Sequence, residues 1–413
     1  MPIPAPFSPK AVFSGMPDGP EPPRVLISPH RYIQGKDVMD RLGHYLSVIN
    51  SRGPAVLMTE GARQRIGARV EKSLRVAGIE PQVVIFRGEC CSEEVERLSD
   101  SLRTTGQSVD SVIAVGGGKC LDAGKCVAFR LFVPLVICPT IASTDAPCSA
   151  VSVMYTQEGV GKGPEFFPNS PALVIVDTGI IAEAPIRHLI AGIGDALATV
   201  YEARTCSRNP SGRNMLGTRI TIAALALAEL CARTVYEDAR DAIQAARGGV
   251  SNPPLERIIE ANTLLSGVGF ESGGLAAAHA MAAGMTVIPV LHRDYLHGEL
   301  VGIGLIAHLM LETETEDARR VTQFLAGIGL PVTLEELQLS PDRDSGALMK
   351  AMTAAVEEPF VHNEPFEVTP EKLYSALLEA DRLGRETIRE FGDAPFRAIH
   401  SLQDPSESSQ IGG

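Results

Sequence analysis

The segment SVIAVGGGKCLDAGK, residues 111–125, joins a run of apolar and β-branched residues to a helical pattern through three consecutive glycines. Glycines at such a junction let the backbone approach a ligand closely, and the start of a helix presents free N–H groups and a partial positive charge. Lys119 adds a cation, and Asp122, which we place in the first turn of the helix, can cap the helix or hydrogen-bond a ligand. The segment therefore predicts a strand, a glycine turn and a helix that can bind phosphate.

Two familiar phosphate-binding patterns do not match this segment. Its glycines do not follow the GxGxxG spacing. A Walker loop fails as well, because Gly118 to Gly124 is one residue too long and Cys126 stands where a magnesium-binding hydroxyl is required. The residues by themselves therefore leave two interpretations, a phosphate cradle and a tight glycine turn without a ligand.

Around this segment, short apolar runs alternate with helical patterns. The predicted strands are 55–59, 82–86, 111–115, 135–138 and 173–176, and the predicted helices between them include 62–77 and 92–105. Apolar strands that alternate with helices are typical of a parallel sheet covered on both faces. The first part of the chain is therefore predicted to be an α/β domain.

After about residue 181 the pattern becomes helical and strand-like runs nearly vanish. The predicted helices are 187–208, 218–246, 255–283, 298–313, 317–328, 345–356 and 370–391. We therefore predict a flexible, proline-rich N-terminal arm (1–24), an α/β domain with a parallel sheet (25–180), an all-α domain (181–403) and a frayed tail (404–413).

Composition excludes several classes of protein. The 413 residues carry a net charge of −13 without a basic stripe, which argues against a nucleic-acid partner. The uncharged stretch 272–291 is mostly glycine and alanine and is interrupted by Pro289, so we predict a buried helix and no membrane partner. The eight cysteines form no CxxC pair and are expected to be buried, reduced thiols in a cytoplasmic protein.

Three residues far apart in the sequence form a candidate metal site. Asp195 lies in GIGDALAT, His279 in GGLAAAHAMAAG and His297 in YLHGELVGIG. Two imidazoles and a carboxylate suit zinc in a catalytic site with an open position, and the same ligands also suit ferrous iron. The alternative for His279 is a hydrogen-bonded histidine of the core. His292, expected in the loop before His297, and His308 are further candidates near the site.

Several runs resemble one family. VGGGKCLDAGK, PTIASTDAPCSAVSVMY, GIGDALAT, ANTLLSGVGFESGGLAAAHA and HGELVGIG are similar to the glycerol dehydrogenases of the iron-containing (group III) alcohol dehydrogenase superfamily, and the similarity extends from about residue 31 to 391. The resemblance implies a dehydroquinate synthase-like architecture and one divalent metal per subunit. It also implies oxidation of glycerol to dihydroxyacetone with NAD, in a homo-oligomer that is commonly an octamer.

The resemblance also assigns residues. Asp195, His279 and His297 would hold the metal, zinc by expectation and iron as the alternative, and with Asp145 they would bind the polyol substrate and form the catalytic group. For Asp145 alone, a plain loop or a helix cap within STDAP is the competing interpretation. The cofactor would contact Gly117, Gly118, Lys119, Asp122, Thr140, Ser143, Ser149, Val151 and Tyr155.

The sequence departs from the family at one position. Family members place an acidic residue at the end of the first strand, where it binds the adenosine ribose, and Thr59 takes that place here, beside Glu60 and close to Arg63. A neutral residue with a nearby arginine could tolerate a 2′-phosphate, so NAD is expected and NADP stays open. The alternatives for the function are another vicinal diol, a glycerol phosphate, or a metal-bearing relative without turnover.

Overall fold

The N-terminal sheet consists of six parallel strands in the order β1-β8-β5-β4-β2-β3, and a two-stranded antiparallel hairpin, β6-β7, stands beside it. The computed structural model describes residues 4–13, 21–104, 106 and 108–400. The strands are β1 (Tyr32–Gly35), β2 (Pro54–Thr59), β3 (Gln82–Phe86), β4 (Ser111–Gly116), β5 (Leu135–Pro139), β6 (Val151–Tyr155), β7 (Gly161–Phe166) and β8 (Leu173–Asp177).

The central strands are buried along their whole length. Every residue of β2, β4, β5 and β8 is buried, as expected for a parallel sheet with helices on both faces. Alternate residues enter two separate cores: Ala55 and Leu57 pack into one, and Val56 and Met58 into the other. The predicted α/β fold with a parallel sheet is confirmed.

Helices make up most of the described chain after β8. The helices are α1 (Pro9–Phe13), α2 (Leu42–Tyr45), α3 (Glu60–Ala62), α4 (Ala68–Val76), α5 (Ser92–Thr104), α6 (Gly118–Leu131), α7 (Thr178–Ala182), α8 (Ile186–Arg208), α9 (Ile222–Arg247), α10 (Pro253–Glu260), α11 (Ser266–Gly273), α12 (Ala277–Met285), α13 (Pro289–Asp294), α14 (His297–Leu311), α15 (Thr315–Ile328), α16 (Ser345–Val356), α17 (Pro370–Phe391) and α18 (Ala394–His400). The predicted helical C-terminal part is confirmed.

The predicted single helix over 255–283 is wrong. The segment contains α10, a π-helical turn (Ala261–Leu265), α11 and, after a break, α12. The break follows from Gly274, which has φ +91 and ends α11, and a Cβ at this position would lie 2.7 Å from the carbonyl oxygen of Arg213. A new helix therefore starts just before His279.

Other boundaries also differ from the prediction. The helix predicted over 218–246 starts only at Ile222, because the Thr221 side chain accepts the N–H of Ala224 and caps it. Asp122 lies in the second turn of α6, and not in its first, since the helix begins at Gly118. The sequence prediction missed β1 and the hairpin, whose strands are short and partly exposed.

The start of the described chain has contacts with the helical part. Within the predicted arm, Pro9–Phe13 form α1, and Arg24 makes a bridge to Arg219 and donates to the carbonyl oxygen of Ile220. The predicted tail, 404–413, lies outside the described residues. All eight cysteines are buried and free, as predicted. Among the described residues, none of the helices has the length and apolar character needed to cross a membrane.

Candidate active site

Three helices bring the predicted metal ligands to one point. Asp195 lies inside α8, His279 in the first turn of α12, and His297 is the first residue of α14. The Nε2 atoms of His279 and His297 lie 3.3 and 3.4 Å from the same atom, Oδ1 of Asp195. The carboxylate and two imidazoles therefore form one group of possible ligands, called the metal group below, although they are distant in the sequence.

Close approach of α8 and α14 makes this convergence possible. A Cβ on Gly298 would overlap the carbonyl oxygen of Ala191, and a Cβ on Gly194 would lie 2.5 Å from the carbonyl oxygen of Gly298. Glycine at both positions lets the two backbones touch. Because Gly194 precedes Asp195 and Gly298 follows His297, the same contact sets the distance between these two candidate ligands.

The electrostatics of the group fit a cation. Asp195 is fully buried, and its Oδ1 has no hydrogen-bond partner among the described residues. Burial opposes ionisation, but His297 and His279 outweigh it and hold the pKa of Asp195 below its usual value. An ionised, buried oxygen that faces two imidazole nitrogens is a donor set that fits a divalent metal.

Glu202 belongs to the site, although the sequence prediction missed it. This fully buried carboxylate lies 2.5 Å from Nδ1 of His279 and accepts the backbone N–H groups of Ala276 and His279 at 2.8 and 3.0 Å. It orients the ring so that Nε2 faces Asp195. The available signal was spacing, since Glu202 follows Asp195 by two helical turns on the same face.

Asp145 lies beside the metal group, in the loop after β5. Its N–H donates to Oδ2 of Asp195 at 3.2 Å, and its Oδ2 accepts from Ser266 Oγ at 3.1 Å. Burial and the charge of Asp195 raise the pKa of Asp145 well above its usual value. Asp145 occupies the N-cap position of the following 3₁₀ turn (Ala146–Cys148), but its side chain makes no capping hydrogen bond to that turn.

The predicted cofactor-binding residues fall into two sets, one at the glycine loop and one around Lys125. At the glycine loop, Gly117 is the N-cap of α6 and offers no side chain to its N–H groups, while Thr140 N–H donates to Gly116 O at 3.0 Å. Nearby, Lys119 pairs with Glu89 at 2.6 Å, and its Nζ lies 5.5 Å from the ring centroid of Tyr155. In this first set, the uncapped start of α6 lies at the carboxyl edge of the sheet, where phosphate binding is favoured.

A buried lysine that was not predicted holds the second set. Lys125 is 2% exposed, and its Nζ lies 2.9 Å from Asp122 Oδ1, 3.0 Å from Ser149 Oγ and 2.7 Å from the carbonyl oxygen of Val151. Ser143 is buried in the loop that leads to this cluster. Lys125 follows Asp122 by three residues on one helix, a spacing at which opposite charges meet.

The remaining candidate residues lie elsewhere. His292 is on α13, not in a loop as predicted, and is outside the metal group. His308 belongs to a different group, with Glu312 and Glu364. Thr59 ends β2, where its Oγ1 accepts the N–H of Ala62 at 3.1 Å and caps the next helix.

Comparison with known proteins shows the family of the chain. The family model described as iron-containing alcohol dehydrogenase matches residues 29–178. The glycerol dehydrogenase of Escherichia coli O6:H1 is 46% identical over 372 residues, which cover 89% of this chain and 99% of that protein. The glycolaldehyde reductase of Halobacterium salinarum is 40% identical and covers 87% of this chain and 98% of its own.

A solved structure shares the fold over the same extent. The crystal structure of glycerol dehydrogenase from Schizosaccharomyces pombe has a TM-score of 0.84 and 34% sequence identity, and the match covers 89% of this chain and 93% of that one. Similarity at this level over nearly the whole length shows that the chain belongs to the glycerol dehydrogenases of the iron-containing alcohol dehydrogenase family.

Proposed function

We propose that this chain oxidises glycerol to dihydroxyacetone with NAD as the hydride acceptor. The observation that carries the proposal is the hydrogen bond from the Asp145 N–H to Asp195 Oδ2, because it joins the loop of the sheet to the metal group. Substrate bound there would be next to both sets of residues. The relatives of this chain include enzymes named glycerol dehydrogenase, which supports glycerol as the substrate.

The metal site would consist of Asp195, His279 and His297. The donor set favours zinc, with ferrous iron as the alternative. A bound divalent metal supplies Lewis acidity, which lowers the pKa of a substrate hydroxyl. Asp145 would orient glycerol, since Ser266 already donates to Oδ2 and the second oxygen, Oδ1, would accept from a substrate hydroxyl.

The cofactor would bind along the carboxyl edge of the sheet. Gly117, Gly118 and Lys119 at the start of α6 would contact the diphosphate. Farther along, Lys125 holds Asp122, Ser149 and Val151 in place, and Thr140, Ser143 and Tyr155 would complete the contacts to the cofactor. The proposed division of labour gives nucleotide binding to residues 25–180 and metal binding to 181–403.

The proposal also places the protein in the cytoplasm as a homo-oligomer. Eight free, buried thiols suit a reducing cytoplasm. The family resemblance implies a homo-oligomer, commonly an octamer, and size-exclusion chromatography with light scattering would measure the assembly.

Substitution of one ligand tests the proposal. His279→Ala should lose both the bound metal and glycerol oxidation, whereas His44→Ala, an exposed histidine of α2, should keep both. Mass spectrometry measures the metal content, and the absorbance of reduced nicotinamide measures NADH formation. Full activity of His279→Ala would overturn the assignment.

A panel of substrates tests the choice of glycerol. The relative from Halobacterium salinarum is named for the reduction of glycolaldehyde, so reduction of this aldehyde should be compared with reduction of dihydroxyacetone, the ketone that glycerol oxidation would give. NAD and NADP are assayed in parallel. A higher kcat/KM for glycolaldehyde than for dihydroxyacetone, both measured as reduction, would move the assignment to an aldehyde reductase.

A further inference from the structure

A second group of possible metal ligands lies away from the candidate active site. His308, on α14, is fully buried, Glu312 is one helical turn later, and Glu364 follows the 3₁₀ turn Pro359–Asn363. One ligand atom from each lies within 4.8 Å of the others. His308 is eleven residues beyond His297, or about 16 Å along the helix at 1.5 Å per residue, so the two groups are separate.

Some polar atoms of this group have partners, since Thr205 Oγ1 donates to Glu312 Oε1 at 2.6 Å, and others have none. Nδ1 of His308 lies 3.0 Å from Oε1 of Glu364, and Nε2 lies 3.6 Å from Oε2 of Glu312. Nevertheless, His308 Nδ1 and Glu364 Oε2 have no hydrogen-bond partner among the described residues. Asp195 Oδ1 shows the same combination, with short distances to imidazole nitrogens and no hydrogen bond.

The composition of the group favours a cation. Two acidic side chains face one imidazole, so the group offers more acidic than basic groups. Within the described chain, no lysine or arginine pairs with Glu312 or Glu364; Arg204 pairs with Asp317 and Arg208 with Glu314. Although burial opposes the charge, Glu364 and Glu312 raise the pKa of His308 to about 9. A proton on His308 is therefore the rival occupant.

One member of the group, Glu312, borders a surface pocket. A pocket of about 490 Å³ is lined by Glu312 and by Phe366, two residues after Glu364. Lys372 also lines this pocket, but its Nζ donates to the carbonyl oxygen of Glu367. A hydrated cation can thus reach Glu312 without crossing the core.

We propose that His308, Glu312 and Glu364 bind a second divalent cation, separate from the catalytic metal. One imidazole and two carboxylates suit a first-row ion such as Zn²⁺ or Mn²⁺. Glu364 Oε1 also accepts the N–H of Ala277, at the start of the helix that carries His279. The second ion would therefore link α14 to the start of α12 and act as a structural site.

Metal counting tests the proposal. After equilibration with Zn²⁺ and removal of the excess, the full-length protein should hold about two ions per subunit, and His308→Gln and Glu312→Gln about one. Glu316→Gln, at an exposed position of α15, is the matched control and should keep about two. A wild-type count of about one, or a count of about two in both His308→Gln and Glu312→Gln, would overturn the second site.

A second measurement separates this site from the catalytic one. In Asp195→Asn, which should lose the catalytic ion and turnover, added Zn²⁺ should still raise the thermal midpoint by several degrees. Adding His308→Gln to this variant should abolish the rise. If His308→Gln does not fold, Glu312→Gln, whose side chain is partly exposed, takes its place. Equal midpoints with and without Zn²⁺ in Asp195→Asn would overturn the second site.

Discussion

The carboxylate of Glu202 lies 2.5 Å from Nδ1 of His279, while Nε2 of the same ring lies 3.3 Å from Asp195. Both edges of the imidazole are thus engaged, one by a buried carboxylate that also accepts two backbone N–H groups from the start of α12. A carboxylate behind a histidine ligand fixes its tautomer and raises its basicity. Glu202 is therefore a positioning residue for the proposed metal.

Replacement of Glu202 should weaken metal binding without removing a ligand. Glu202→Gln is expected to lower the affinity for Zn²⁺ by roughly 10- to 100-fold, because the ring loses its charged partner. Competition with a chromogenic chelator measures the affinity. Glu237→Gln, at an exposed position of α9, should leave it unchanged. Equal affinities of both variants would contradict the positioning role.

The contact between α8 and α14 should tolerate no side chain at Gly298. A Cβ there overlaps the carbonyl oxygen of Ala191, so Gly298→Ala must push the helices apart. We expect a loss of roughly 1–3 kcal/mol in the free energy of unfolding, together with a lower metal content. Urea denaturation measures the first and mass spectrometry the second.

A matched glycine provides the control for that experiment. Gly346 lies in α16 with open space around its Cβ position. Gly346→Ala should keep the metal and be neutral or slightly stabilising, because alanine favours helix. If Gly298→Ala behaves in the same way as Gly346→Ala, the two helices do not need this close approach.

Thr59 should govern the preference between the two nicotinamide cofactors. It ends β2 and caps the next helix, and it carries no charge that would repel a 2′-phosphate. Thr59→Asp keeps a capping oxygen and adds a carboxylate, so the ratio of kcat/KM for NAD to that for NADP should rise roughly tenfold or more. Thr59→Asn, which caps without charge, should leave the ratio near that of wild type. A rise in Thr59→Asn equal to that in Thr59→Asp would rule out a charge effect.

Glu271 should make stability depend on pH. Burial raises its pKa to about 7, although the N–H of Ala150 donates to it. A carboxyl whose pKa is higher in the folded than in the unfolded state makes its full contribution to the free energy of unfolding at a pH below the unfolded-state pKa. This contribution is lost as the pH rises through the folded-state pKa.

The expected size of the effect follows from these values. Relative to Glu271→Gln, wild type should lose about 3 kcal/mol of unfolding free energy between roughly pH 4.5 and 7, and no more above that range. Denaturant titrations of both proteins at several pH values measure the difference. A difference that stays constant with pH would show that Glu271 titrates normally.

Local patterns in the sequence were sufficient for the framework. The predicted strands β2, β3, β4, β5 and β8 differ from the structure by at most one residue at an end. They are recognisable because strands buried on both faces must be apolar throughout, a property of consecutive residues. The glycines before α6 and the residue types of the candidate metal ligands are also properties of short segments, so they were visible in the sequence.

Only the tertiary structure decided which distant side chains meet. Glu202 reaches His279, Lys125 joins Asp122 to the hairpin, and His308 faces Glu364 because helices cross at particular glycines and breaks, such as Gly274. Each pairing depends on the path of segments far apart in the chain, which the period of a helix or strand does not encode. The sequence alone therefore determined the elements and the candidate ligands, whereas packing between helices determined which carboxylate lies behind His279 and which residues form the second group of possible ligands.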